Sequence, residues 1–545
     1  MQWNMGDLYD IAAEEIPSDR LAIIESFSGR ERTWGDLISR TNNLANGLLK
    51  LGAQQGDKVA IYMRNCTEYI EAVIACEKAR LVPVNINFRY LEDELHYVLD
   101  NSDATVIVYE AAFAENLRPL QSKLPDVRLY LETGTDAPAL PDAQRLEQHA
   151  ETGDGSALNI ERSPDDLFSV YTGGTTGLPK AVMWPHDTLF RMIGVNAFSP
   201  AQKFPANLDE YRQELTGFNG ARTIIPIPLM HGAGVHIAQT TLLYGGCVVL
   251  NSNSGFDPRQ LLDAIEQSQA QNMVIVGDAF GKPLLDALNE SPDRWDLSNL
   301  RSILSSAMTF SVVTKKGLLE HMPHLVIVDT LGASETPSIA LTVSTKDSCQ
   351  DQEMQMATNA DTKVFKENLF TEAPEEVVPG SDQVGMLARA GNIPIGYYKD
   401  AEKSAATFPT IDGVCYAIPG DFAKVLIDGS IKLLGRGNVS INSGGEKIYP
   451  DEVECAIKRH PQVADAALVG IPDERWGQAA TALVQLNKGE ALDSESIRDM
   501  VRSQLAAYKI PKNVLAVENI NRGANGKLDY QTLAKLALQE ASKQK

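Results

Sequence analysis

Apolar runs of strand length alternate with amphipathic stretches of helix length along most of this chain, and that alternation limits the fold more than any other feature. Thr33 opens a segment in which Leu37, Leu44, Leu48 and Leu51 share one helical face and which stops at Gly52; VAIYM (Val59 to Met63) then reads as a buried strand. A helix around Glu68 to Ala79, the strand LVPVN, a helix around Leu91 to Leu99 and the strand ATVIVY continue the series. It returns with the helix LLDAIEQ, the strand NMVIV, the helix KPLLDAL and the strand HLVIVDT, ending at Asp329. Such β/α alternation predicts mostly parallel sheets layered with helices, an α/β fold, and two such sheets are expected. In doubly wound sheets ligands collect at the carboxyl ends of strands. LFSVY running into TGGTTG, and LVIVD running into TLGASE, put polar loops there.

At 545 residues the chain exceeds what one core organises, so at least two domains are expected. Residues 341–383 are polar, mixed and poorly periodic, which predicts loops and short β structure on the surface. In GDFAKVLIDGSIKLLGRGNVS the DGS turn between apolar runs reads as a hairpin. From about Ile441 the texture changes to short α and β pieces, placing a domain boundary near Arg436 to Asn438.

The formal charge of −23 argues against a nucleic-acid partner, since no basic patch offsets the repulsion of phosphates. Six cysteines (Cys66, Cys76, Cys247, Cys349, Cys415 and Cys455) show no CxxC spacing, so reduced, buried thiols are expected instead of a zinc site or a disulfide framework. No basic n-region precedes an apolar run in MQWNMGDLYDIAAEEIP, and the ASKQK terminus matches no lipidation signal. The segment His231 to Leu250 has no formal charge but carries histidines, a glutamine and glycines, so it reads as buried core and not as a membrane span. The expectation is a soluble, cytoplasmic protein, with peripheral membrane association and a homodimer left open.

Within Tyr171 to Lys180, YTGGTTGLPK, three glycines and three threonines precede one lysine. A P-loop requires lysine directly after glycine and then a hydroxyl; here Leu178 and Pro179 intervene and Ala181 follows, so that reading fails. Glycines still allow backbone N–H groups to converge on an anion, and threonine hydroxyls add donors. The plain alternative is a turn that binds nothing.

The string resembles the [YF]-[TS]-S-G-[ST]-T-G-x-P-K-G signature of the adenylate-forming superfamily. Further matches follow in family order: PLMHGAG (Pro228 to Gly234), LGASE (Leu331 to Glu335), GYYKD (Gly396 to Asp400), GD (Gly420, Asp421), GRGN (Gly435 to Asn438), GGEKIYPDEVE (Gly444 to Glu454) and NGK (Asn525 to Lys527). They span essentially the whole chain. The resemblance implies a large N-terminal AMP-binding domain over residues 1–435, built of two mostly parallel sheets, helices and a small β-barrel-like part. A hinge at 436–440 and a small mobile α+β domain over 441–545 complete the implied fold.

The family joins a carboxylate to the α-phosphate of ATP, releasing pyrophosphate, and a thiol then displaces AMP. By resemblance, Thr172, Gly173, Gly174, Thr175 and Thr176 hold the β- and γ-phosphates, with Lys180 closing the signature, where donors must meet charge that develops during displacement. Glu335 matches the magnesium ligand, assisted by Thr176, and Ser334 replaces the threonine that touches the α-phosphate. Mg2+ suits one hard carboxylate plus phosphate oxygens. Ala307, Asp329, Leu331 and Gly332 belong to the implied nucleotide site. Asp421 matches the acceptor of both ribose hydroxyls, and Arg436 the arginine on ribose and phosphate. Lys527 matches the catalytic lysine that serves the first half-reaction from the C-terminal domain. Asn438 stands at the hinge where Asp or Lys is usual, and Gly444, Gly445 and Glu446 match a loop of the CoA channel.

His231 matches a residue gating the acyl pocket, although a histidine in an apolar run is ordinarily a satisfied core residue. Gly277, Phe280, Ala307, Met308 and Leu331 would line a mostly apolar cavity, while Asp278 is the candidate for gripping an ammonium group if the acid were an amino acid. VGDAF followed by KPLL, with GASE and GRGNVSINSGGEK, looks like bacterial long-chain and steroid-side-chain CoA ligases. The implied function is AMP-forming ligation of a hydrophobic acid to CoA, using ATP, Mg2+ and CoA. Two other readings stay open: an enzyme passing its acyl-adenylate to a carrier protein or other acceptor, and a catalytically dead nucleotide-binding scaffold. Gly173, Asn438 and Asn521, which replace the usual serine, charged residue and proline, are the only support for the scaffold.

Overall fold

The computed structural model describes residues 2–172, 179–194, 204–217, 220–251, 255–308, 310–349, 355–367, 374–436, 439–443, 446–473, 477–505, 507–522 and 528–543. The chain divides into two compact units. The first comprises Met1–Ile275, Asp286–Leu304 and Gly391–Thr410; the second comprises Val276–Leu285, Ser305–Ala390 and Ile411–Lys545.

The first unit carries the predicted parallel sheets. One runs in the order Gly396–Tyr397, Lys180–Pro185, Leu167–Thr172, Val82–Asn85, Lys58–Tyr62, Ala104–Glu110, Leu129–Thr133, Gln144–Arg145. Its pairings are parallel except at the first two interfaces, which are antiparallel. The strands Asn272–Ile275, Arg222–Ile225, Cys247–Leu250 and Leu21–Glu25 are likewise parallel, with Arg30–Thr33 added antiparallel at the edge. Ala60, Tyr62, Val84, Ile107 and Tyr109 are buried in one cluster with Leu95, Val98 and Leu99 of the helix Glu92–Asn101, so one sheet face is sealed by helical leucines. Thr33 opens the helix Trp34–Lys50 as expected, and the structure adds a capping box with Asp36.

The helix Thr67–Lys78 is buried along its whole length despite its carboxylates. Burial of charge is tolerated only when it is paired: Arg40 forks onto Glu71 at 2.7 and 3.0 Å, and Arg30 joins Glu68 to Glu25. The segment 231–250 folds as the helix Gly232–Leu243 and the strand Cys247–Leu250, both largely buried. Among the described residues no helix is long and apolar enough to cross a membrane.

In the second unit an antiparallel series runs Val326–Ala333, Thr336–Ser344, Gln355–Thr358, Ile431–Arg436, Asp421–Val425, Gly385–Arg389, Thr362–Lys366. The expected hairpin around DGS is the pair Asp421–Val425 and Ile431–Arg436. One expectation is corrected: the strand does not end at Asp329 but continues to Ala333, because Thr330 and Leu331 pair with Leu341 and Ala340 of a returning strand. Likewise the helix read over KPLLDAL begins earlier, at Gly277, and takes in Phe280. The C-terminal part packs a mixed sheet of Glu446–Ile448, Ile441–Ser443, Gly477–Leu486, Val463–Asp473 and Asn513–Val517 against the helices Pro450–Lys458 and Ser494–Gln504, whose Val453, Ile457, Ile497 and Val501 share its core. None of the six cysteines is in a disulfide, but only Cys76, Cys247 and Cys455 are buried; Cys66 and Cys349 are partly exposed and Cys415 is exposed, correcting the expectation of uniform burial.

Candidate functional site

In the first unit the strand Leu167–Thr172 reverses into Lys180–Pro185, so that Thr172 and Lys180 face each other as register partners. Gly173, Gly174, Thr175 and Thr176 lie outside the described residues. Leu167–Thr172 pairs in parallel with Val82–Asn85 through Ser169 and Val84, so Thr172 is the carboxyl end of a strand that belongs to the parallel sheet. The side chain of Asn85 holds that end: its Oδ1 accepts from Tyr171 N at 2.7 Å, and its Nδ2 donates to the carbonyls of Tyr171 and Met230. Asn65 does the same for the approach to the histidine motif, donating to Ile227 O and accepting from Leu229 N, both at 2.8 Å. Both amides are buried, and neither drew notice in the sequence. Their one signal is a polar residue at or just beyond the carboxyl end of a predicted strand.

His231 is the N-cap of the helix Gly232–Leu243, and His236, a turn later, packs on Phe168 and is bonded to Gln239 at 3.0 Å; both are partly exposed. Burial pushes the His236 imidazole down to about 4. Of the two histidines, His236 lies within the helix on Phe168 and Gln239, and His231 stands at the helix start. Gly234 leaves no room for a side chain, since a Cβ would meet Pro228 O at 2.5 Å, which explains the glycine in HGAG.

In the second unit Asp421 and Arg436 are opposite each other across the hairpin. The two residues that resemblance assigns to the ribose are thus brought side by side on the backbone; the Arg436 side chain lies outside what is described. Ser334 and Glu335 form the turn between Val326–Ala333 and Thr336–Ser344, beside Gly332 on the strand. Leu331 packs on the sheet core that contains Ile339, Val364 and Leu387. Among the described residues no group of three or more His, Cys, Asp or Glu gathers as a metal cluster. A hard carboxylate such as that of Glu335 is the kind of ligand that Mg2+ takes alongside phosphate oxygens.

Gly277 opens its helix with φ +43° and donates to Ser305 Oγ at 3.1 Å. Asp278 accepts from Ser311 N at 3.1 Å, so the candidate ammonium partner already serves the start of the helix Val312–His321. Ala307 adopts φ +68°, a left-handed conformation that costs a non-glycine residue about 1 kcal/mol or more and that concentrates at ligand sites. Met308 closes that bend through a bond from its N–H to Ser306 O at 2.9 Å. Phe280 is buried. Asp329 is raised from the ordinary carboxylate range by burial, against the pull of Lys315, whose Nζ lies 2.7 Å from its Oδ2. Lys527, Asn438, Gly444 and Gly445 lie outside the described residues, as does the side chain of Glu446.

Residues 9–381 match the model of the AMP-binding enzyme family, and residues 452–527 match that of the AMP-binding enzyme C-terminal domain. The chain belongs to the AMP-binding enzyme family. It is 37% identical to a 3-oxocholest-4-en-26-oate--CoA ligase of Rhodococcus rhodochrous over 97% of this chain and 95% of that protein. It is 38% identical to a medium/long-chain-fatty-acid--CoA/3-oxocholest-4-en-26-oate--CoA ligase of Mycolicibacterium smegmatis, over 97% and 96%. The fold is also that of ATP-bound MatB from Rhodopseudomonas palustris, with a TM-score of 0.81, 24% identity, and 98% and 99% of the two chains covered.

Proposed function

We propose that this chain is an AMP-forming acyl-CoA ligase acting in the cytoplasm on a hydrophobic carboxylic acid, a fatty acid or a steroid side-chain acid. The observation that carries the reading is identity of 37–38% along nearly the whole length of relatives named for those activities. The described motif residues support it, standing at strand ends, turns and a hairpin where a nucleotide can be met. Thr172 to Thr176 are assigned to the phosphates, Ala307, Gly332 and Ser334 to the nucleotide, and Asp421 with Arg436 to the ribose. Leu331 and Asp329 belong to the same assignment.

In the first half-reaction a carboxylate oxygen attacks the α-phosphorus and pyrophosphate leaves; in the second the CoA thiol attacks the acyl carbon and AMP leaves. Lys527 steadies the charge of the first step. Mg2+ would be held by Glu335, with Thr176 beside it, and would neutralise the triphosphate. His231, Gly277, Phe280 and Met308 are assigned to the acyl pocket, and Gly444, Gly445 and Glu446 to the CoA channel. Residues 1–435 form the AMP-binding domain and 441–545 the mobile one, pivoting at 436–440 about Asn438, where permissive dihedrals matter more than charge.

Incubation of fatty, aromatic and steroid acids with ATP, Mg2+ and CoA, followed by mass spectrometry, tests the reading. Acyl-CoA and AMP from the fatty or steroid acids are expected. ADP as the product, or adenylate without thioester, would overturn it.

A further inference from the structure

Lys180 is the residue of the signature that a phosphate-binding reading would send to the nucleotide, yet its amine is engaged elsewhere. Its Nζ is ion-paired with Asp400, 220 positions away in sequence, and lies 5.9 Å from the centre of the Tyr397 ring. Asp400 belongs to a strap, 391–410, that docks on the edge of the first unit's sheet. Gly396 and Tyr397 pair with Met183 and Val182, Ile395 N donates to Met183 O at 3.0 Å, and Tyr398 N donates to Ala181 O at 2.9 Å. The strap is anchored again by Tyr398 and Lys399, whose Oη and Nζ meet the two oxygens of Asp103 at 2.7 and 2.6 Å. Asp400 is itself fixed, because its Oδ1 accepts from Lys403 N at 2.9 Å and caps the helix Ala401–Thr407. Lys180 holds Asp400 below the ordinary carboxylate range.

We infer that Lys180 is a positioning residue whose working partner is Asp400: the pair clamps the strand end opposite Thr172 to the strap, and so fixes the spacing from which the phosphate-binding stretch departs. The inference rests on the proposed assignment of that stretch to ATP. It differs from it by placing the ammonium on the protein and not on the nucleotide. Backbone pairing alone sets the register of Lys180–Pro185, but its first residue is where pairing ends and where a side-chain tether has most effect.

The test is ATP binding by calorimetry in the intact enzyme, with acid-dependent ATP–pyrophosphate exchange alongside it. Asp400→Asn is the informative variant, since asparagine keeps the helix cap and removes only the charge. Asp400→Asn and Lys180→Met are each expected to weaken ATP binding about fivefold and to raise its KM equally, the size that a partly exposed ion pair supports. Turnover of Asp400→Asn at saturating ATP stays near wild type, the double variant is no worse than either single one, and Lys180→Arg restores binding. Loss of turnover in Lys180→Met with Asp400→Asn indistinguishable from wild type would put the amine on ATP and overturn the inference; so would additive effects in the double variant. Wild-type enzyme that binds ATP but shows no acid-dependent exchange would instead refute the proposed reaction, leaving the binding comparison to decide the role of Lys180.

Discussion

The two units hold their motif residues by different means. In the first, the strand ends are fixed by neutral amides, with Asn85 on Tyr171 and Met230 and Asn65 on Ile227 and Leu229, plus the partly exposed pair Lys180 and Asp400. In the second, buried charge does the holding. Lys315 sits on Asp329, and Asp451 and Glu454 both receive the Tyr530 hydroxyl, at 3.4 and 3.2 Å. Amides keep their bonds at every pH, whereas buried ions couple stability to protonation and are costly to break. Damage to these supports in the first unit should therefore appear in ligand affinity, and damage to those in the second in stability and pH dependence, except where a residue performs chemistry.

Lys527→Ala is the largest such exception. It should lower acid-dependent ATP–pyrophosphate exchange about a thousandfold while thioester formation from supplied acyl-adenylate continues. Equal loss of both half-reactions in a folded variant would refute the division of labour. Glu335→Gln should lower turnover on the order of a hundredfold and raise the Mg2+ concentration needed for half-maximal rate. An unchanged Mg2+ response would remove Glu335 from the metal.

Asp329→Ala leaves the Lys315 ammonium buried without its carboxylate, and should cost about 2–3 kcal/mol in a denaturant titration. Partial recovery in Asp329→Leu/Lys315→Met would show that the penalty comes from the orphaned charge.

The smallest effect sets the two units apart by pH. Burial, reinforced by Asp451 and opposed by Lys458, pushes Glu454 up to about 7. A carboxyl with a higher pKa folded than unfolded binds its proton more tightly in the folded state. Stability contributed by Glu454 is therefore present below the ordinary carboxylate range and is lost as pH rises towards neutrality. Glu454→Gln keeps an oxygen acceptor for Leu468 N and should flatten that decline, gaining about 1 kcal/mol above neutral pH. An unchanged pH profile would contradict this role of buried charge.

The parallel strands were legible because both of their faces are buried, so VAIYM and ATVIVY appear as unbroken apolar runs. The extension past Asp329 was not, since Thr330 to Ala333 mixes residue types and becomes a strand only through pairing with Thr336–Ser344. The pairing of Asp421 with Arg436 follows from the register of a hairpin whose turn the sequence signals but whose register it leaves open. Asn65 and Asn85 were invisible for a different reason: a single amide carries no period, and its value lies in backbone groups far away in sequence. The motif marks Lys180, whereas its partner Asp400 is set by the fold.

The central claim is that the acid's own oxygen attacks the α-phosphorus of ATP. Supplying a fatty or steroid-side-chain acid whose carboxylate oxygens are heavy-isotope labelled, with ATP, Mg2+ and CoA, tests it by mass spectrometry of the released nucleotide. AMP carrying one heavy oxygen, together with acyl-CoA, is the predicted result; unlabelled AMP, or label recovered only in inorganic phosphate, would contradict it.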